Sequence, residues 1–420
     1  MARGPRRASR SRAREEALAA ASAVRVPERC DVAVIGGGAS GLAAAVAAAE
    51  AGASVTVLER AVECGRTILA TGNGRCNLMN AELRGPAPAW GRYNEPAFVA
   101  AVCGPGFGGD ALAFLEGCGI AWAEEGGGRL YPLSRQASSV REALLARARR
   151  AGAVLAPARE VTDAAPGTDG WRVAYGGAGG GPVPAAGSLV ARSVVLAAGG
   201  GEGLTQSLGL ACSAYEPTLC SLACTPADDA VDLRALDGRR AHVVARLLRS
   251  GAEVAREAGE ALFRPYGLSG IAIFDLSRFA LPGDVIALDL TCGMDRDRGR
   301  RLVAAAGGSA KGVLDPLIAA ALGGADGMGV LDMARDLRFV VSGTAEPERA
   351  QVTRGGLLVS QFDPATLAAR ELPGLFACGE ALDVDAACGG FNLAWAWKSG
   401  LVAGRAAGSA ARGGTDRTSA

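Results

Sequence analysis

The chain has few of the side chains that most often carry metal and acid–base chemistry. Among its 420 residues there is one histidine, His242, and aromatic residues account for 5%. This scarcity argues against a histidine triad or a histidine-rich metal site. Cys220 and Cys224 lie four residues apart without further ligands beside them, so we expect no metal. His242 falls in a strand-like run and is expected to be structural.

Cysteines and charges narrow the class of protein further. Eleven cysteines occur without a C-x-x-C pair, which in a chain of this length is typical of reduced thiols in the cytoplasm. The 44 basic and 43 acidic residues nearly cancel, so no polyanionic partner is indicated. No apolar stretch approaches the roughly 18 residues of a membrane span. We expect a cytoplasmic protein with a small-molecule substrate and without a nucleic-acid or membrane partner; the oligomeric state stays open.

Both ends of the chain have a biased composition. Residues 1–28 are rich in Arg and Ala, and Glu15 and Glu16 interrupt the short apolar part that an export signal would need. We expect a disordered leader, or a start codon placed too early. Residues 408–420 are small and polar, and they predict a disordered tail.

Residues 31–59 contain the pattern of a dinucleotide-binding unit. An apolar run over 32–35 predicts a buried parallel strand, and an Ala-rich helix follows Gly36, Gly38 and Gly41. In such a unit the first glycine permits a tight turn, the second lets the backbone approach a pyrophosphate, and the third lets helix and strand pack closely. A second strand over 54–58 ends at Glu59, where a carboxylate can accept hydrogen bonds from ribose hydroxyls. An ordinary βαβ unit with a glycine-rich turn would not explain all of these positions.

Two later segments repeat the order of strand followed by glycine. They are SVVLAAGG at 193–200 and GLFACGE at 374–380. The last segment lies more than 300 residues from the first unit, so the nucleotide-binding domain is predicted to be discontinuous. Residues 100–150 are expected to be mainly helical, with a turn-rich break at 126–132.

The runs between these segments predict an insertion in the nucleotide-binding domain. Strand-like runs alternate with glycine-rich turns, and one stretch has helical character. The predicted domains are a nucleotide-binding domain over 29–203 and 344–407, an inserted β-domain over 204–294 and 337–343, and a helical subdomain over 295–336.

The block CGRTILATGNGRCN at 64–77 carries polar groups suited to a cofactor. Gly72 and Gly74 permit unusual backbone angles, and the neighbouring Thr, Asn and Arg side chains supply donors. A loop directly after the ribose-binding acid would follow the cofactor diphosphate toward its reactive ring. A polar surface loop with two turns is the alternative.

A second polar block, CGEALDVDAACGGFN, occupies 378–392. Glu380 ends a strand and can reach sugar-like hydroxyls. Gly389 and Gly390 open a helix whose N-terminus is suited to the electron-rich edge of a flavin, because its N–H groups and dipole stabilise an anionic reduced ring. The alternative is a plain connection between a strand and a helix.

With these blocks the chain resembles the bacterial FAD flavoproteins called NAD(P)/FAD-dependent oxidoreductases, of the aminoacetone oxidase-like or BaiN-like type. The resemblance implies an α/β fold, with a Rossmann-like FAD-binding domain of the two-dinucleotide-binding-domain type, an inserted β-domain and a nested helical subdomain. It implies an FAD-dependent oxidoreductase that transfers hydride through flavin N5 on a small organic substrate. The matching segments, from about residue 31 to about residue 405, are VIGGGASGLAAA, GRTILATGNGRCNLMN, YPLSRQASSV, SVVLAAGG, LFRPYGLSGIAIFDLS, QVTRGGL and LFACGEALDVDAACGGFNLAWAWKSGLVAG.

The resemblance also implies which residues hold FAD. They lie in the glycine turn, just after the second strand, in the two polar blocks and after the strand that ends at Leu196. The predicted cofactor-binding residues are Gly36, Gly38, Ala39, Ser40, Gly41, Glu59, Arg60, Arg66, Thr71, Gly72, Asn73, Gly74, Arg75, Cys76, Asn77, Ala198, Gly199, Gly379, Glu380, Gly390, Asn392 and Leu393.

The sequence leaves the catalytic acid or base open. Cys76 and Cys388 lie in the polar blocks, and Tyr131 and Tyr266 lie in turn-like contexts as candidate proton donors. For each of the four, a packing role is the commoner outcome. Arg354 is a candidate to neutralise a carboxylate or the flavin, or to pair within the protein.

Two further features bear on the substrate and the donor. After Gly199 the crossover is shorter than in the family and lacks its Gly-His pair, so its conformation and any substrate contact it makes are open. There is no second G-x-G-x-x-G unit, so NAD(P)H as donor would bind transiently beside the flavin. The alternatives to this oxidoreductase are a flavoprotein that acts on tRNA and a flavin-binding sensor or interaction protein without turnover.

Overall fold

The computed structural model describes residues 5–85, 89–177, 186–199, 202–228, 231–323 and 326–413. Residues 1–4 of the predicted leader, residues 200 and 201 of the shortened crossover and residues 414–420 of the predicted tail lie outside the described residues.

Within the described ranges, helices and strands follow one another along the chain. Their bounds are α1 (Pro5–Ala23), β1 (Arg29–Ile35), α2 (Ala39–Glu50), β2 (Val55–Leu58), β3 (Met79–Asn80), α3 (Pro96–Cys103), α4 (Phe107–Gly117), β4 (Trp122–Glu125), β5 (Arg129–Pro132), α5 (Ala137–Arg150), β6 (Val154–Ala156), β7 (Arg159–Gly167), β8 (Gly170–Gly177), β9 (Gly187–Leu196), α6 (Glu202–Ser207), β10 (Cys212–Thr218), β11 (Ser221–Pro226), β12 (Arg240–Arg249), β13 (Ala252–Arg264), β14 (Gly267–Ser269), α7 (Ile271–Ser277), β15 (Val285–Asp289), α8 (Arg296–Ala305), α9 (Pro316–Leu322), α10 (Gly327–Ala334), β16 (Leu337–Ala345), β17 (Val352–Leu357), β18 (Leu375–Ala377) and α11 (Phe391–Gly413).

The chain divides into two compact units. The first contains Met1–Tyr215 and Thr353–Ala420, and the second contains Glu216–Val352. The first boundary therefore lies at 215/216, where the sequence predicted 203/204. The preceding helix α6 packs against β7 of the first unit, and the boundary falls within β10, which pairs with β17 in a separate two-stranded sheet.

A mixed sheet forms the centre of the first unit. In the described part of the chain it has seven strands in the order β6-β2-β1-β9-β8-β7, with β18 also paired to β9. The strands β6, β2, β1, β9 and β18 are parallel, whereas β9, β8 and β7 form an antiparallel meander. Val34 lies opposite Val57 and Val195, and the side chain of Val34 is fully buried. Burial on both faces explains the continuous apolar run of β1.

Helix α11 runs parallel to α2 at close range. Gly400 and Gly404 pack against the backbone at Ser40 and Ala44, nearer than any Cβ would allow. Small residues at this spacing let two helices approach closely, as this pair does. Because Gly400 lies beside Ser40, the start of α11 at Phe391 projects beyond the start of α2 at Ala39 by eight residues, or about 12 Å. The two helix N-termini are thus offset along one direction.

Three sequence predictions differ from the structure. Residues 100–150 contain a hairpin, β4 and β5, as well as helices, and β5 also pairs with β3. The predicted leader contains helix α1, which is ordered by burial of Leu18 and Ala21 against Ala158. Helix α11 continues to Gly413 through part of the predicted tail, because Ala411 is buried.

A closed barrel forms the second unit. Its described strands follow the order β11-β14-β13-β12-β15-β16, with an apolar core that includes Leu247, Phe263 and Phe339. Helices α8, α9 and α10 add Val303, Ile318 and Leu331 to the same core. His242 lies on β12 with its side chain exposed. No single helix in the described ranges is long and apolar enough to cross a membrane, although two bent helix pairs meet the length and composition criterion.

Candidate functional site

The glycine turn after β1 combines two tightly packed glycines with one open one. Gly36 has φ +104°, and a Cβ there would lie 2.7 Å from the Ala197 carbonyl oxygen. A Cβ on Gly41 would overlap the Gly36 carbonyl oxygen. Gly38 differs, because its φ is −77° and a Cβ would meet only Thr67 Oγ1, at 3.4 Å. The space over Gly38 is open, and α2 begins there without a side-chain cap. Uncapped N–H groups facing open space suit a phosphate.

Glu59 is held beside this turn by two backbone donors. Its Oε2 accepts from Gly37 N at 2.6 Å, and its Oε1 accepts from Ala61 N at 2.6 Å. These bonds fix the carboxylate at the ends of β1 and β2. Since a carboxylate oxygen can accept more than one hydrogen bond, both oxygens can still receive hydroxyl donors.

The loop over 71–77 has an unusual run of left-handed backbone. Gly72, Asn73 and Gly74 all have positive φ, and Cys76 follows at φ +59°. A Cβ on Gly72 would lie 2.9 Å from Asn77 N, so the loop closes tightly on itself. Two non-glycine residues in this conformation within one short loop indicate a functional constraint.

Arg75 and Tyr131 form a stacked pair beside this loop. The Arg75 guanidinium carbon lies 4.5 Å from the centre of the Tyr131 ring, and Nη2 lies 3.4 Å from the Tyr131 hydroxyl. Glu125 forms an ion pair with Arg75, with its Oε2 3.6 Å from Arg75 Nη1. The other carboxylate oxygen of Glu125, Oε1, lies 2.8 Å from Arg135 Nη2. Tyr131 is 5% exposed. A phenol hydroxyl thus lies under a fixed positive charge.

The strand end at 377–380 is tied to α2 and α11. Ser399 Oγ accepts from Gly379 N at 2.9 Å, and Trp395 Nε1 donates to Gly379 O at 3.1 Å. Gly379 also lies against Ser40 at the start of α2. The neighbouring Glu380 lies beside Gly199, where a Cβ would come 2.6 Å from the carboxylate. Burial, and then the nearby charge of Asp385, raise the pKa of Glu380 to about 7.

The opening of α11 is shaped by backbone contact and by side-chain ties. A Cβ on Gly390 would lie 2.5 Å from the Met79 backbone, so this end of α11 lies against β3. Tyr93 donates from its hydroxyl to Phe391 O at 2.9 Å. Asn392 uses its carboxamide within the protein, accepting from Ala386 N and donating to Ala386 O. Asn392 therefore braces the 386–392 turn.

The structure places most of the predicted site residues together, but some of them lie elsewhere or are exposed. The glycine turn, Glu59, the 71–77 loop and the 379–390 segment lie in the first unit and are joined by the contacts above. Arg60 and Arg66 are exposed, and Leu393 packs on the apolar core. Tyr266 lies in the second unit, where its hydroxyl donates to Glu346 Oε2 at 2.8 Å.

Buried thiols in the site are neutral. Cys76 is fully buried, and burial raises its pKa to about 11 against a smaller opposing hydrogen bond with Thr71. A neutral buried thiol is a poor nucleophile, since the thiolate is the reactive form. Cys388 is half-buried. Among the described residues, no group of three or more His, Cys, Asp and Glu side chains is placed to hold a metal ion.

Four residues that help to position the site were not among the predicted site residues. Thr67 faces the space over Gly38, and Tyr93, Trp395 and Ser399 fix the two glycine segments. Thr67 lies inside a recognised polar block. Trp395 and Ser399 lie inside the matching segment that ends at Gly404, but their contacts with Gly379 were not predicted. Tyr93 lies outside the matching segments, and its partner is a backbone oxygen 298 residues away in the chain.

The chain is similar to known proteins over most of its length. The family model described as HI0933-like protein Rossmann domain matches residues 30–406. A 3-dehydro-bile acid delta(4,6)-reductase from Clostridium scindens is 30% identical over 90% of this chain and 98% of its own length. A ribosomal RNA dihydrouridine synthase from Escherichia coli is 25% identical over 89% of this chain and 96% of its own length.

A solved structure extends the likeness to the fold. The open conformation of a flavocytochrome c3 fumarate reductase superposes with a TM-score of 0.52 at 16% identity, covering 96% of this chain and 81% of the other. The predicted Rossmann-like α/β fold and the predicted family are confirmed. The open cradle at Gly38 and the uncapped start of α2 fit the diphosphate of FAD. The chain belongs to the HI0933-like Rossmann family and is an FAD-dependent oxidoreductase.

Proposed function

We propose that this protein reduces a carbon–carbon double bond conjugated to a carbonyl group in a small organic molecule. The observation that carries the proposal is the similarity to the 3-dehydro-bile acid delta(4,6)-reductase over 90% of the chain. That name describes a ketone conjugated with double bonds at positions 4 and 6. Dihydrouridine formation in the second relative likewise saturates a double bond next to a carbonyl. The two relatives share this bond type, although their substrates differ in size.

The proposed FAD site uses the residues of the first unit. N–H groups at the start of α2, with the open space over Gly38, would hold the diphosphate, and Glu59 would accept from the adenosine ribose. Ala198, Gly199 and Glu380 would line the middle of the cofactor. The start of α11, about 12 Å beyond that of α2, would face the flavin ring. When bound, FAD supplies hydride transfer at its N5 atom.

Tyr131 is the proposed proton donor. Saturation of the double bond needs a proton as well as a hydride, and the Tyr131 hydroxyl lies beside the 71–77 loop of the proposed cofactor site. Arg75 stacks on the ring and would stabilise the phenolate left when the proton leaves. Glu125, which also pairs with Arg135, forms an ion pair with the Arg75 guanidinium. Cys76 is unsuited to this step, because its thiol is fully buried and burial disfavours the thiolate that would remain when the proton leaves.

NAD(P)H is the proposed electron donor. A reductase needs a source of two electrons, and the chain has no second glycine fingerprint for a resident nicotinamide. The nicotinamide would therefore bind for a short time beside the flavin and leave before the substrate enters. This alternation predicts ping-pong kinetics.

A flavoprotein acting on RNA is the second candidate. Two relatives favour it, the ribosomal RNA dihydrouridine synthases from Escherichia coli and Haemophilus influenzae, at 25% and 24% identity. The balance of 44 basic and 43 acidic residues disfavours it, because RNA binding draws on an excess of positive charge. A flavin-binding sensor without turnover is the remaining alternative.

Anaerobic stopped-flow absorbance separates these functions. Bleaching of the flavin by NADH or NADPH would identify the donor. The reduced protein is then mixed with a conjugated steroid enone, a simple enoate, an amine, or unmodified ribosomal RNA. We expect fast reoxidation by the enone or enoate only, and slower reoxidation by the enone in Tyr131→Phe. Reoxidation by RNA alone would support the second candidate, and a flavin that no donor reduces would support the sensor.

A further inference from the structure

One side-chain oxygen in the proposed flavin region is buried without a partner. Asn77 is 9% exposed, and its carboxamide Oδ1 has no hydrogen-bond donor within reach. Leaving a buried acceptor unsatisfied costs about 1–3 kcal/mol, so native structures rarely tolerate it. Among the described residues, Thr56 and Thr218 also have a buried side-chain oxygen without a partner, but neither lies in a cofactor block. The orphan at Asn77 points to a ligand that donates a hydrogen bond.

In contrast, the carboxamide nitrogen and oxygen of a neighbouring asparagine both have hydrogen-bond partners within the protein. Asn80 donates to Gly127 O at 3.2 Å and to Gly389 O at 3.1 Å, and its Oδ1 accepts from Glu82 N at 3.0 Å. The chain between the two asparagines is also fixed, since Leu78 N donates to Leu130 O and Trp397 donates to Leu78 O. Asn77 therefore has little freedom to move toward a protein donor.

The position of Asn77 selects which part of FAD it meets. Its backbone lies against Gly72 of the left-handed loop, and two residues later Met79 lies against Gly390 at the start of α11. Asn77 is thus the last residue of this loop and lies two residues before the contact with the helix N-terminus that would face the ring. The adenosine ribose is assigned instead to Glu59, which accepts from Gly37 N in the glycine turn.

We propose that Asn77 Oδ1 accepts a hydrogen bond from N3–H of the flavin ring, which rests on the FAD site proposed above. N3–H is the single N–H group of the oxidised ring, and it lies between two carbonyl oxygens. The N–H groups at the start of α11 suit those carbonyl oxygens, whereas N3–H needs an acceptor. Asn77 supplies one. It is a positioning residue that recognises the pyrimidine edge of the flavin and orients the ring.

A chemical double-mutant cycle tests this pairing. The apoprotein and its Asn77→Leu variant, which has a similar side-chain volume, are each titrated with FAD and with N3-methyl-FAD, and binding is followed by flavin fluorescence. We expect methylation to weaken binding to the wild-type protein by about tenfold or more. It should have little effect on Asn77→Leu, which already binds FAD more weakly by a similar factor. Asn77→Asp retains an acceptor and should keep the sensitivity to methylation.

Controls separate this pairing from effects on the fold. Asn80→Leu removes a carboxamide of the same type that the protein itself satisfies. It should lower the stability of the apoprotein to urea yet leave the penalty for methylation unchanged. The visible flavin spectrum provides a second readout, since loss of the N3–H bond should shift it in Asn77→Leu and leave it in place in Asn80→Leu.

Two outcomes would overturn the inference. Methylation that weakens the wild-type protein and Asn77→Leu by the same factor would show that Asn77 does not bond N3–H. The other outcome uses a 2′-deoxyribityl analogue of FAD. If loss of its 2′-hydroxyl weakens binding to the wild-type protein but not to Asn77→Leu, the Asn77 oxygen bonds the ribityl chain instead of N3–H. Failure of the wild-type protein to bind FAD at all would instead contradict the FAD site itself, so the two failures are distinct.

Discussion

Replacing Gly38 by valine should abolish FAD binding and leave the fold intact. The backbone at Gly38 has φ −77° and ψ −162°, an extended conformation that a β-branched residue adopts readily. The new Cβ would meet only Thr67 Oγ1, at 3.4 Å, which is an ordinary contact. We expect the free energy of unfolding of the apoprotein to change by less than about 1 kcal/mol.

We expect binding to be lost because the valine side chain would occupy the space that the diphosphate needs. A side chain there would separate the phosphate oxygens from the N–H groups at the start of α2. Each hydrogen bond to a charged group contributes about 1.5–3 kcal/mol, so the loss of two of them costs about 3–6 kcal/mol. That corresponds to a decrease in affinity of about 10² to 10⁴-fold.

Gly41→Ala is the matched control, because Gly41 belongs to the same turn but is packed against the protein, whereas Gly38 faces open space. Its Cβ would overlap the Gly36 carbonyl oxygen, so we expect the apoprotein to lose about 1–3 kcal/mol or more. The measurements are urea unfolding of both apoproteins and FAD titration by fluorescence quenching. Wild-type affinity for FAD in Gly38→Val, or wild-type stability in Gly41→Ala, would refute the reasoning.

Three further predictions concern carboxylates and the proposed proton donor. Glu59→Ala removes the acceptor of Gly37 N and Ala61 N, so urea unfolding should show a loss of about 1–3 kcal/mol even without FAD, and FAD binding should weaken as well; an unchanged affinity would remove Glu59 from the site. The pKa of Glu380 is raised from 4.5 to about 7, so the folded protein binds the extra proton, and the stability of the apoprotein should fall as the pH rises from about 4.5 to about 7. Glu380→Gln should remove that part of the pH dependence in urea unfolding, and an identical slope in both proteins would contradict the assignment. Tyr131→Phe should slow enone-dependent reoxidation by about 10² to 10⁴-fold while FAD affinity stays within about threefold, and equal rates would exclude Tyr131 as the acid.

The parallel strands and the glycine turn were predictable because their signals are local. The run over 32–35 lies in β1, and the strands predicted within 54–58, 193–200 and 374–380 correspond to β2, β9 and β18. Each is a short apolar run that burial on both faces explains. The hairpin of β4 and β5 was not predicted, because Trp122–Glu125 has no strand-like alternation and forms a strand by pairing with Arg129–Pro132.

The polar blocks were also predictable, but which of their asparagines form hydrogen bonds within the protein was not. Sequence reasoning placed Asn77, Asn80 and Asn392 in or near the same blocks. In the structure, Asn80 and Asn392 use their carboxamides within the protein, whereas Asn77 keeps an unpaired oxygen. Which asparagine is left without a partner depends on backbone atoms such as Gly389 O and Ala386 O, and their positions come from the tertiary fold.

By itself the sequence determined the type of cofactor site, since the order of strand, glycines, helix and acid reflects the physics of one short βαβ unit. It also determined the family, through blocks that extend over most of the chain. Only the tertiary structure decided that α11 starts about 12 Å beyond α2 and that Gly390 lies against Met79. Both depend on contacts between segments more than 300 residues apart, and no local pattern in the chain encodes such distances.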